Sequence, residues 1–294
     1  MNPEKLQRKI RENPAGAVLL GIISVFYLAI IALRRKLYSA GVFKSFALPV
    51  RVICFGNITT GGTGKTSAVM MAALKLSQAG IRTAILTRGY RRPDKKRPVE
   101  VLCDGQTPSW TDCGDEAWML YQSLRDLNIP VLVSPDRYRA GLIAVSQFGS
   151  QVLLMDDGFQ HFRLKRDADI VLLDARNPFG GDYILPLGRL RESVHGIRRA
   201  SMVMITHCDQ VPADALALLR ARITELHPKA RILESIHHPE FFLDLNRARK
   251  VKLDELKGPA VALSAIGEPE SFEHTLRSLG LKLRQIWRYP DHHP

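Results

Sequence analysis

Cysteine is scarce and is not arranged for metal binding. The 294-residue chain contains four cysteines with no C-x-x-C pair and no short metal-ligand spacing, at Cys54, Cys103, Cys113 and Cys208. This pattern argues against a disulfide framework and a cysteine metal site, and it favours unpaired thiols in a reducing compartment. Internal repeats and low-complexity segments are also missing. With 46% hydrophobic residues, the chain can build a sizeable core, which argues against disorder.

Acidic residues are too few to balance the basic ones. Lysine and arginine number 42 against 29 aspartates and glutamates, giving a formal net charge of +13. Such an excess favours anionic partners, namely nucleic acid, an acidic membrane surface or a phosphorylated substrate. The length allows one large α/β domain and a smaller second one.

Charge is absent from residues 15–33, which read AGAVLLGIISVFYLAIIAL. As a helix this run would extend roughly 28 Å, close to the ~30 Å hydrocarbon core of a bilayer. A cleaved signal peptide would have a shorter apolar core, and a buried core helix of this length usually carries polar residues. We therefore predict that residues 1–49 form a membrane anchor. Basic residues flank the run on both sides, so they leave its orientation open.

After residue 49, short apolar runs alternate with amphipathic stretches, a pattern typical of βαβ units around a parallel sheet. Strands are predicted at 50–55, 81–87, 131–134, 151–155, 170–173, 202–206, 232–236, 260–264 and 281–289, and helices at 65–79, 116–127 and 214–226. The predicted domains are 50–215 and a smaller one at 216–294. Only a weak signal, near residues 205–230, marks that boundary.

A glycine-rich segment lies between the first predicted strand and the first predicted helix, the context that a phosphate-binding loop (P-loop) requires. Glycines let backbone N–H groups converge on phosphate oxygens, and the helix N-terminus adds its positive dipole. Lys65 would reach the β- and γ-phosphates, and the Thr66 hydroxyl would bind Mg²⁺. The sequence departs from the G-x-x-x-x-G-K-[ST] pattern at the first position, where Thr59 replaces glycine. The ATP-binding residues predicted here are Thr59, Thr60, Gly61, Gly62, Thr63, Gly64, Lys65 and Thr66.

Two carboxylates follow a buried-looking strand, in the sequence Asp156-Asp157-Gly158. A P-loop needs an acidic partner for its metal ion, and either aspartate could hold Mg²⁺ directly or through water. The same three residues are also of types that favour a turn. Behind a P-loop, the metal role is the favoured interpretation.

Gly114-Asp115-Glu116 precedes an apolar helical stretch. Acidic residues are common in a first helical turn, so capping alone could explain them. In the functional interpretation, Asp115 is the general base for a substrate hydroxyl and Glu116 is a metal-site carboxylate. His161 could orient the acidic loop, although a lone histidine is more often structural. Asp291-His292-His293 could be a polar tail or could reach the site through folding.

Two basic clusters follow predicted strands, on the rim where α/β sheets bind ligands. One occupies residues 88–97, and the other contains Arg189, Arg191, Arg198 and Arg199. Contact with an anionic substrate and simple solvation are equally good explanations of both clusters.

The ordered set of motifs resembles the tetraacyldisaccharide 4′-kinase family, the lipid A 4′-kinases of Gram-negative bacteria. The likeness covers nearly the whole chain, and it includes the basic-flanked anchor. The further motifs are Gly56-Asn57 with the P-loop, Arg88-Gly89-Tyr90, Gly114-Asp115-Glu116, Asp156-Asp157-Gly158-x-Gln160-His161, Leu190-Arg191-Glu192 and Asp291-His292. The family also tolerates threonine in place of the first P-loop glycine, in agreement with Thr59. It usually has proline where this chain has Ala117.

The resemblance implies a P-loop NTPase-like parallel α/β sheet, a smaller α/β domain and an N-terminal transmembrane helix. The implied reaction transfers the γ-phosphoryl group of ATP, with Mg²⁺, to the 4′-hydroxyl of an acylated glucosamine disaccharide 1-phosphate. It would occur at the cytoplasmic face of the bacterial inner membrane, among inner membrane lipids, with no nucleic acid and no obligate protein partner.

The resemblance also implies roles for particular residues. Asp115 would be the catalytic base with His292 as its partner. The substrate contacts would be Arg88, Tyr90, His161, Arg191 and Glu192, and the metal site would contain Thr66, Glu116, Asp156 and Asp157. Members of the family normally continue beyond the Asp-His pair, so we expect this chain to be truncated at its C-terminus.

Three other functions are compatible with parts of the sequence. A switch ATPase of the ParA/MinD kind shares residues 61–66 but needs a lysine where Thr60 stands. A GTPase would have N-K-x-D, which Thr206-His207-Cys208-Asp209 matches only in part. A nucleic-acid binder would explain the charge, but it would not need a P-loop followed by paired carboxylates.

Overall fold

The computed structural model describes residues 10–89, 98–104, 110–247 and 249–290. Its centre is an eight-stranded sheet with strand order β3-β4-β2-β5-β1-β6-β7-β8. The strands are β1 (Arg51–Gly56), β2 (Thr83–Thr87), β3 (Glu100–Leu102), β4 (Val131–Val133), β5 (Val152–Asp156), β6 (Ala168–Asp174), β7 (Met202–Thr206) and β8 (Arg231–Glu234). All neighbouring pairs are parallel except β3 with β4.

Helices cover both faces of this sheet, because alternate strand residues point to opposite sides. On one face, α2 (Lys65–Gln78) and α4 (Asp115–Leu124) pack over Phe55, Ile85 and Leu154. On the other face, α5 (Arg137–Phe148) packs over a separate cluster of strand side chains. The central strands are thus buried on both sides, and the carboxyl edge of the sheet is the place where strand-end loops meet. The short helix α3 (Trp110–Cys113) precedes α4.

The N-terminal helix α1 (Pro14–Ser39) is longer than the predicted span of 15–33, since the basic residues after position 33 continue the helix. It is long and apolar enough to cross a membrane by length and composition, and only 11% of its most apolar window is buried. One face is nevertheless fixed to the body of the protein. Leu20 and Ser24 are buried, and Ser24 Oγ lies 3.0 Å from the carbonyl of Ile184 and accepts a 3.1 Å hydrogen bond from Leu187 N–H.

The remaining elements follow the large sheet. α6 (Ala213–Leu226) packs on β6 and β7, and β8 then pairs with β7. Two small sheets come next, an antiparallel pair of β9 (Phe242–Asp244) with β10 (Arg249–Val251), and a parallel pair of β11 (Pro259–Ser264) with β12 (Lys282–Arg288). α7 (Pro269–Ser278) connects the second pair.

The predicted domain boundary at residue 215 falls inside α6. Because β8 is hydrogen-bonded to β7, the large sheet continues as far as Glu234. The division of the chain into an anchor and two domains otherwise stays a prediction.

The predicted fold class, a parallel α/β sheet with an N-terminal apolar helix, is confirmed. Every predicted strand and helix after residue 49 has a counterpart shifted by a few residues at most. The prediction missed α5, α7, the short helix α3, the edge strand β3 and the β9–β10 pair. Short strands carry little periodic signal, which is why β3 and the β9–β10 pair were not predicted.

Candidate active site

The glycine-rich loop connects β1 to α2, as predicted. Gly64 precedes the helix with φ of 78°, and Gly61 has φ of 113°, both in the left-handed region that only glycine adopts freely. Inside the loop, Asn57 Nδ2 donates to Thr63 Oγ1 at 3.1 Å. The carbonyl of Thr63 accepts from Thr206 Oγ1, at the end of β7, at 3.2 Å. The loop is therefore braced against the carboxyl edge of the sheet.

Thr59, the departure from the P-loop pattern, has a structural explanation. It is buried and forms an antiparallel bridge with Leu190. On either side of that bridge, Thr60 N–H donates to the Arg189 carbonyl and Arg191 N–H donates to the Ile58 carbonyl, both at 2.8 Å. A β-branched residue suits this extended pairing, so no glycine is required at position 59.

The carboxylate of Asp157 contacts two cationic side chains. Arg191 Nη1 lies 2.8 Å from Oδ1 and 3.0 Å from Oδ2 of the carboxylate, and Lys65 Nζ lies 3.8 Å from Oδ1. Burial by itself would raise the pKa of Asp157, but Lys65 and Arg191 outweigh it and hold that pKa below its ordinary value. Asp157 is thus an ionised group that fixes both basic side chains beside the loop.

Asp156, its neighbour, has a different environment. It is fully buried, and burial raises its pKa to about 7, with Lys65 opposing the shift and the charges of Asp157 and Glu116 adding to it. Its Oδ1 has no hydrogen-bond partner among the described residues. A buried carboxylate oxygen without a donor is suited to a cation. In the described part of the chain, no group of three or more His, Cys, Asp or Glu residues could hold a metal ion.

Arg137 belongs to this region and was not predicted. It is buried at the start of α5, and its charge acts on both Asp156 and Asp157. Burial and the nearby Arg88 lower the pKa of Arg137 to about 10. A sequence signal existed, because Asp136 caps α5 immediately after β4, and the next residue must then lie at the carboxyl edge.

The other predicted site residues are distributed around this centre. Asp115 and Glu116 begin α4 and are exposed, and Asp115 Oδ1 accepts from the Glu116 N–H at 2.9 Å. Arg88 is exposed directly after β2, and Gly62 lies in the exposed part of the loop. Tyr90 and His292 fall outside the described residues, so their predicted roles stay predictions.

Glu192 is held by structural contacts, whereas His161 is half-buried and its Nε2 has no hydrogen-bond partner among the described residues. Glu192 is buried, accepts from Arg199 Nη1 at 2.7 Å and from Gln160 Nε2 at 2.9 Å. Gln160 also donates to the Asn57 carbonyl at 2.9 Å, which joins this group to the P-loop. Burial, aided by Arg137, lowers the pKa of His161 to about 4. Their predicted role in substrate binding stays a prediction.

A glycine loop closed on a parallel strand, a lysine at the first turn of the following helix and a buried acid on the adjacent strand define a P-loop nucleotide-binding protein. Asp156 on β5 pairs in register with Phe55 on β1, which puts the acid next to the loop.

Comparison with known proteins gives the family. The family model for tetraacyldisaccharide-1-P 4′-kinase matches residues 16–294. The tetraacyldisaccharide 4′-kinase of Elusimicrobium minutum is 47% identical over 293 residues, which are 99% of this chain and 78% of that protein. The corresponding kinase of Syntrophus aciditrophicus is 38% identical, over 100% of this chain and 82% of that protein. Among solved structures, the LpxK protein of Aquifex aeolicus in complex with ATP is 32% identical with a TM-score of 0.72, over 92% of this chain and 81% of that one.

The chain belongs to the tetraacyldisaccharide-1-P 4′-kinase family. The resemblance seen in the sequence motifs is thereby confirmed, and the ParA/MinD-like alternative has no comparable support.

Proposed function

We propose that this protein uses ATP and Mg²⁺ to phosphorylate the 4′-hydroxyl of an acylated glucosamine disaccharide 1-phosphate, at the cytoplasmic face of the bacterial inner membrane. The observation that carries the proposal is the convergence of Lys65 and Arg191 on Asp157 beside the P-loop. It puts two cations and an ionised carboxylate next to the cradle for the nucleotide phosphates.

The P-loop would bind the β- and γ-phosphates through its backbone N–H groups and the N-terminus of α2. Lys65 would neutralise charge on those phosphates. The residues present fit a divalent cation, because the Thr66 hydroxyl begins the same helix and the buried Oδ1 of Asp156 lacks a donor among the described residues. Mg²⁺ keeps waters and phosphate oxygens as ligands, so few protein ligands are needed. When bound, it would draw charge from the phosphate oxygens.

The acceptor side would begin with Asp115. Its carboxylate is exposed at the first turn of α4, and α4 packs against the P-loop helix α2. As the bond from the γ-phosphorus to the bridging oxygen breaks, the 4′-oxygen bonds to phosphorus and its proton passes to Asp115. His292 is the proposed partner of this base. Phosphoryl transfer relies on such positioning and on charge neutralisation.

The membrane location rests on α1 and on the surplus of positive charge. The helix is fixed to residues 184–187 through Ser24, only a few residues before Arg191. An acylated acceptor lies in the bilayer, so this attachment would keep the site near the headgroups. ATP is cytosolic, which puts the catalytic body on the cytoplasmic side.

The decisive experiment incubates the detergent-solubilised protein with labelled ATP, Mg²⁺ and a tetraacyl glucosamine disaccharide 1-phosphate. We expect labelled 4′-phosphate in the lipid product. Absence of transfer by a folded protein that binds ATP would overturn the proposed substrate. In the same assay, Asp115→Ala should abolish most turnover while leaving ATP affinity near that of the wild type.

A further inference from the structure

Arg189 lies against the third residue of the P-loop. A Cβ atom built on Gly61 would be 2.3 Å from Arg189 Nη2 and 3.2 Å from its Cζ. The guanidinium therefore occupies the space beside the Gly61 backbone that a side chain would otherwise take. The same loop must converge on phosphate, so a cation lies beside an anion-binding segment.

The position of Arg189 is built into the fold. Its carbonyl accepts the 2.8 Å hydrogen bond from Thr60 N–H, which ties its backbone to the loop. At the base of the side chain, Gly180 has φ of 60°, and a Cβ there would lie 2.6 Å from the Arg189 Cβ. Two glycines from different segments thus approach the two ends of one side chain. The close approach at Gly180 holds the Arg189 backbone near this segment.

A carboxylate already shares this space. Nη1 and Nη2 of Arg189 both lie 3.4 Å from Oε1 of Glu268, which precedes α7. The contact is long and partly exposed, at 32% for the arginine and 36% for the glutamate side chain. A phosphate oxygen carries more charge and accepts hydrogen bonds at shorter range, so it would compete well for the same guanidinium.

We propose that Arg189 is a catalytic residue that contacts the γ-phosphate of ATP, as a second cation beside Lys65. This inference rests on the proposed function. Lys65 extends from the helix end of the loop, whereas Arg189 approaches at Gly61, so the two cations would engage the transferred group from different points. Charge on the γ-phosphate oxygens is redistributed as the bridging P–O bond breaks and the new P–O bond forms. A guanidinium supplied within the same chain stabilises that charge and takes no proton.

The test compares nucleotides that differ only in the γ-phosphate. Affinities for ADP and for a non-hydrolysable ATP analogue are measured by calorimetry with Mg²⁺ on the full chain. Arg189→Met keeps the aliphatic stem and removes the charge. We expect it to weaken binding of the ATP analogue by about tenfold, and of ADP by less than about twofold. Arg220→Met is the matched control, because Arg220 forms a similarly exposed ion pair, with Glu234 at 2.6 Å, on the edge of the sheet. It should leave both affinities unchanged.

Glu268→Gln separates phosphate contact from a merely structural ion pair. If Arg189 serves only to hold Glu268, both variants should show the same loss for both nucleotides, and that result would overturn the inference. If Arg189 contacts the γ-phosphate, Glu268→Gln should retain the wild-type preference for the ATP analogue. Kinetics add a second readout, since Arg189→Met should lower kcat more than it raises KM for ATP, and Arg189→Lys should recover part of kcat.

Different experimental results would overturn the inference about Arg189 and the proposed function. A wild-type protein that binds both nucleotides but does not phosphorylate the lipid leaves the γ-phosphate contact testable by calorimetry. A wild-type protein that binds neither nucleotide would overturn both. Equal loss of ADP and analogue binding in Arg189→Met, with lipid phosphorylation by the wild type intact, would overturn the role of Arg189 alone.

Discussion

Arg191 Nη1 bridges both oxygens of Asp157, at 2.8 and 3.0 Å, while the backbone N–H of Arg191 donates to the Ile58 carbonyl just ahead of the P-loop. One residue therefore joins the acidic loop after β5 to the loop that cradles phosphate. Lys65, 3.8 Å from the same carboxylate, completes the group. Three segments far apart in the sequence act as a unit, and the first prediction tests this.

Asp157→Asn and Arg191→Met should each lower kcat/KM, and the double variant should be little worse than either single one. Because each substitution disrupts the same arrangement, we expect a coupling free energy of about 1 kcal/mol or more in a double-mutant cycle. Steady-state kinetics on the lipid substrate provide the measurement. The exposed pair of Arg220 and Glu234 is the control and should show no coupling in activity. Additive losses at 157 and 191 would contradict the shared role.

Lys65→Met should lower kcat/KM for ATP by about a hundredfold or more, since a partly buried cation beside the P-loop is lost. The matched control is Lys75→Met, an exposed lysine in the last turn of the same helix. It removes the same charge from α2 at the end remote from the phosphates. Equal effects of the two substitutions would show that net charge, rather than position, is responsible.

Ser24→Ala should loosen α1 from the catalytic body. The hydroxyl accepts from Leu187 N–H at 3.1 Å, and its removal leaves that donor without this acceptor, a loss of about 1–3 kcal/mol. The expected result is a lower Tm in detergent. Ser39→Ala is the control, since Ser39 Oγ donates within the end of the helix, to the Lys36 carbonyl at 2.9 Å. An unchanged Tm for Ser24→Ala would show that the contact contributes no stability.

Acidification should destabilise the fold through His161. Burial lowers its pKa to about 4 in the folded state, against an ordinary value of 6.5. Between these two values the unfolded chain binds the proton more readily, so stability present above pH 6.5 is lost as the pH falls towards 4. The contribution is at most about 3 kcal/mol. His161→Asn should therefore reduce the fall in Tm between pH 7 and pH 4.5, and an identical fall in both proteins would contradict the prediction.

Much of the site follows from local patterns. The spacing of Gly64, Lys65 and Thr66 between a strand and a helix predicted the phosphate loop, and the acids after β5 predicted its charged neighbour. The helix α1 was visible as an uncharged run, although its end was placed too early. The structure positions Thr59 by its pairing with Leu190, a contact between residues more than a hundred positions apart that no local pattern reveals.

The sequence did not assign some residues to the active site, because their neighbours in space depend on the order of the strands in the sheet. The cap at Asp136 puts Arg137 at the carboxyl edge, but Arg137 meets the acidic residues there only because β4 ends on the same edge as β5. Arg189 was part of a basic cluster with two equally good explanations. Its place against Gly61 depends on how residues 180–191 fold back across the loop, with glycine at both contact points.

The sequence by itself determined the phosphate loop, the acidic strand end, the apolar helix and the family. The loop, the strand end and the helix are each set by spacing or periodicity within a few dozen residues, where the chain's own geometry suffices. The family was indicated by a resemblance in the ordered set of motifs along nearly the whole chain. Only the tertiary structure decided which charges meet, so that Arg191 pairs with Asp157 and Arg199 pairs with Glu192. Parallel strands bring distant loops to one edge, and the pairing of charges there depends on strand order and burial, which no local pattern encodes.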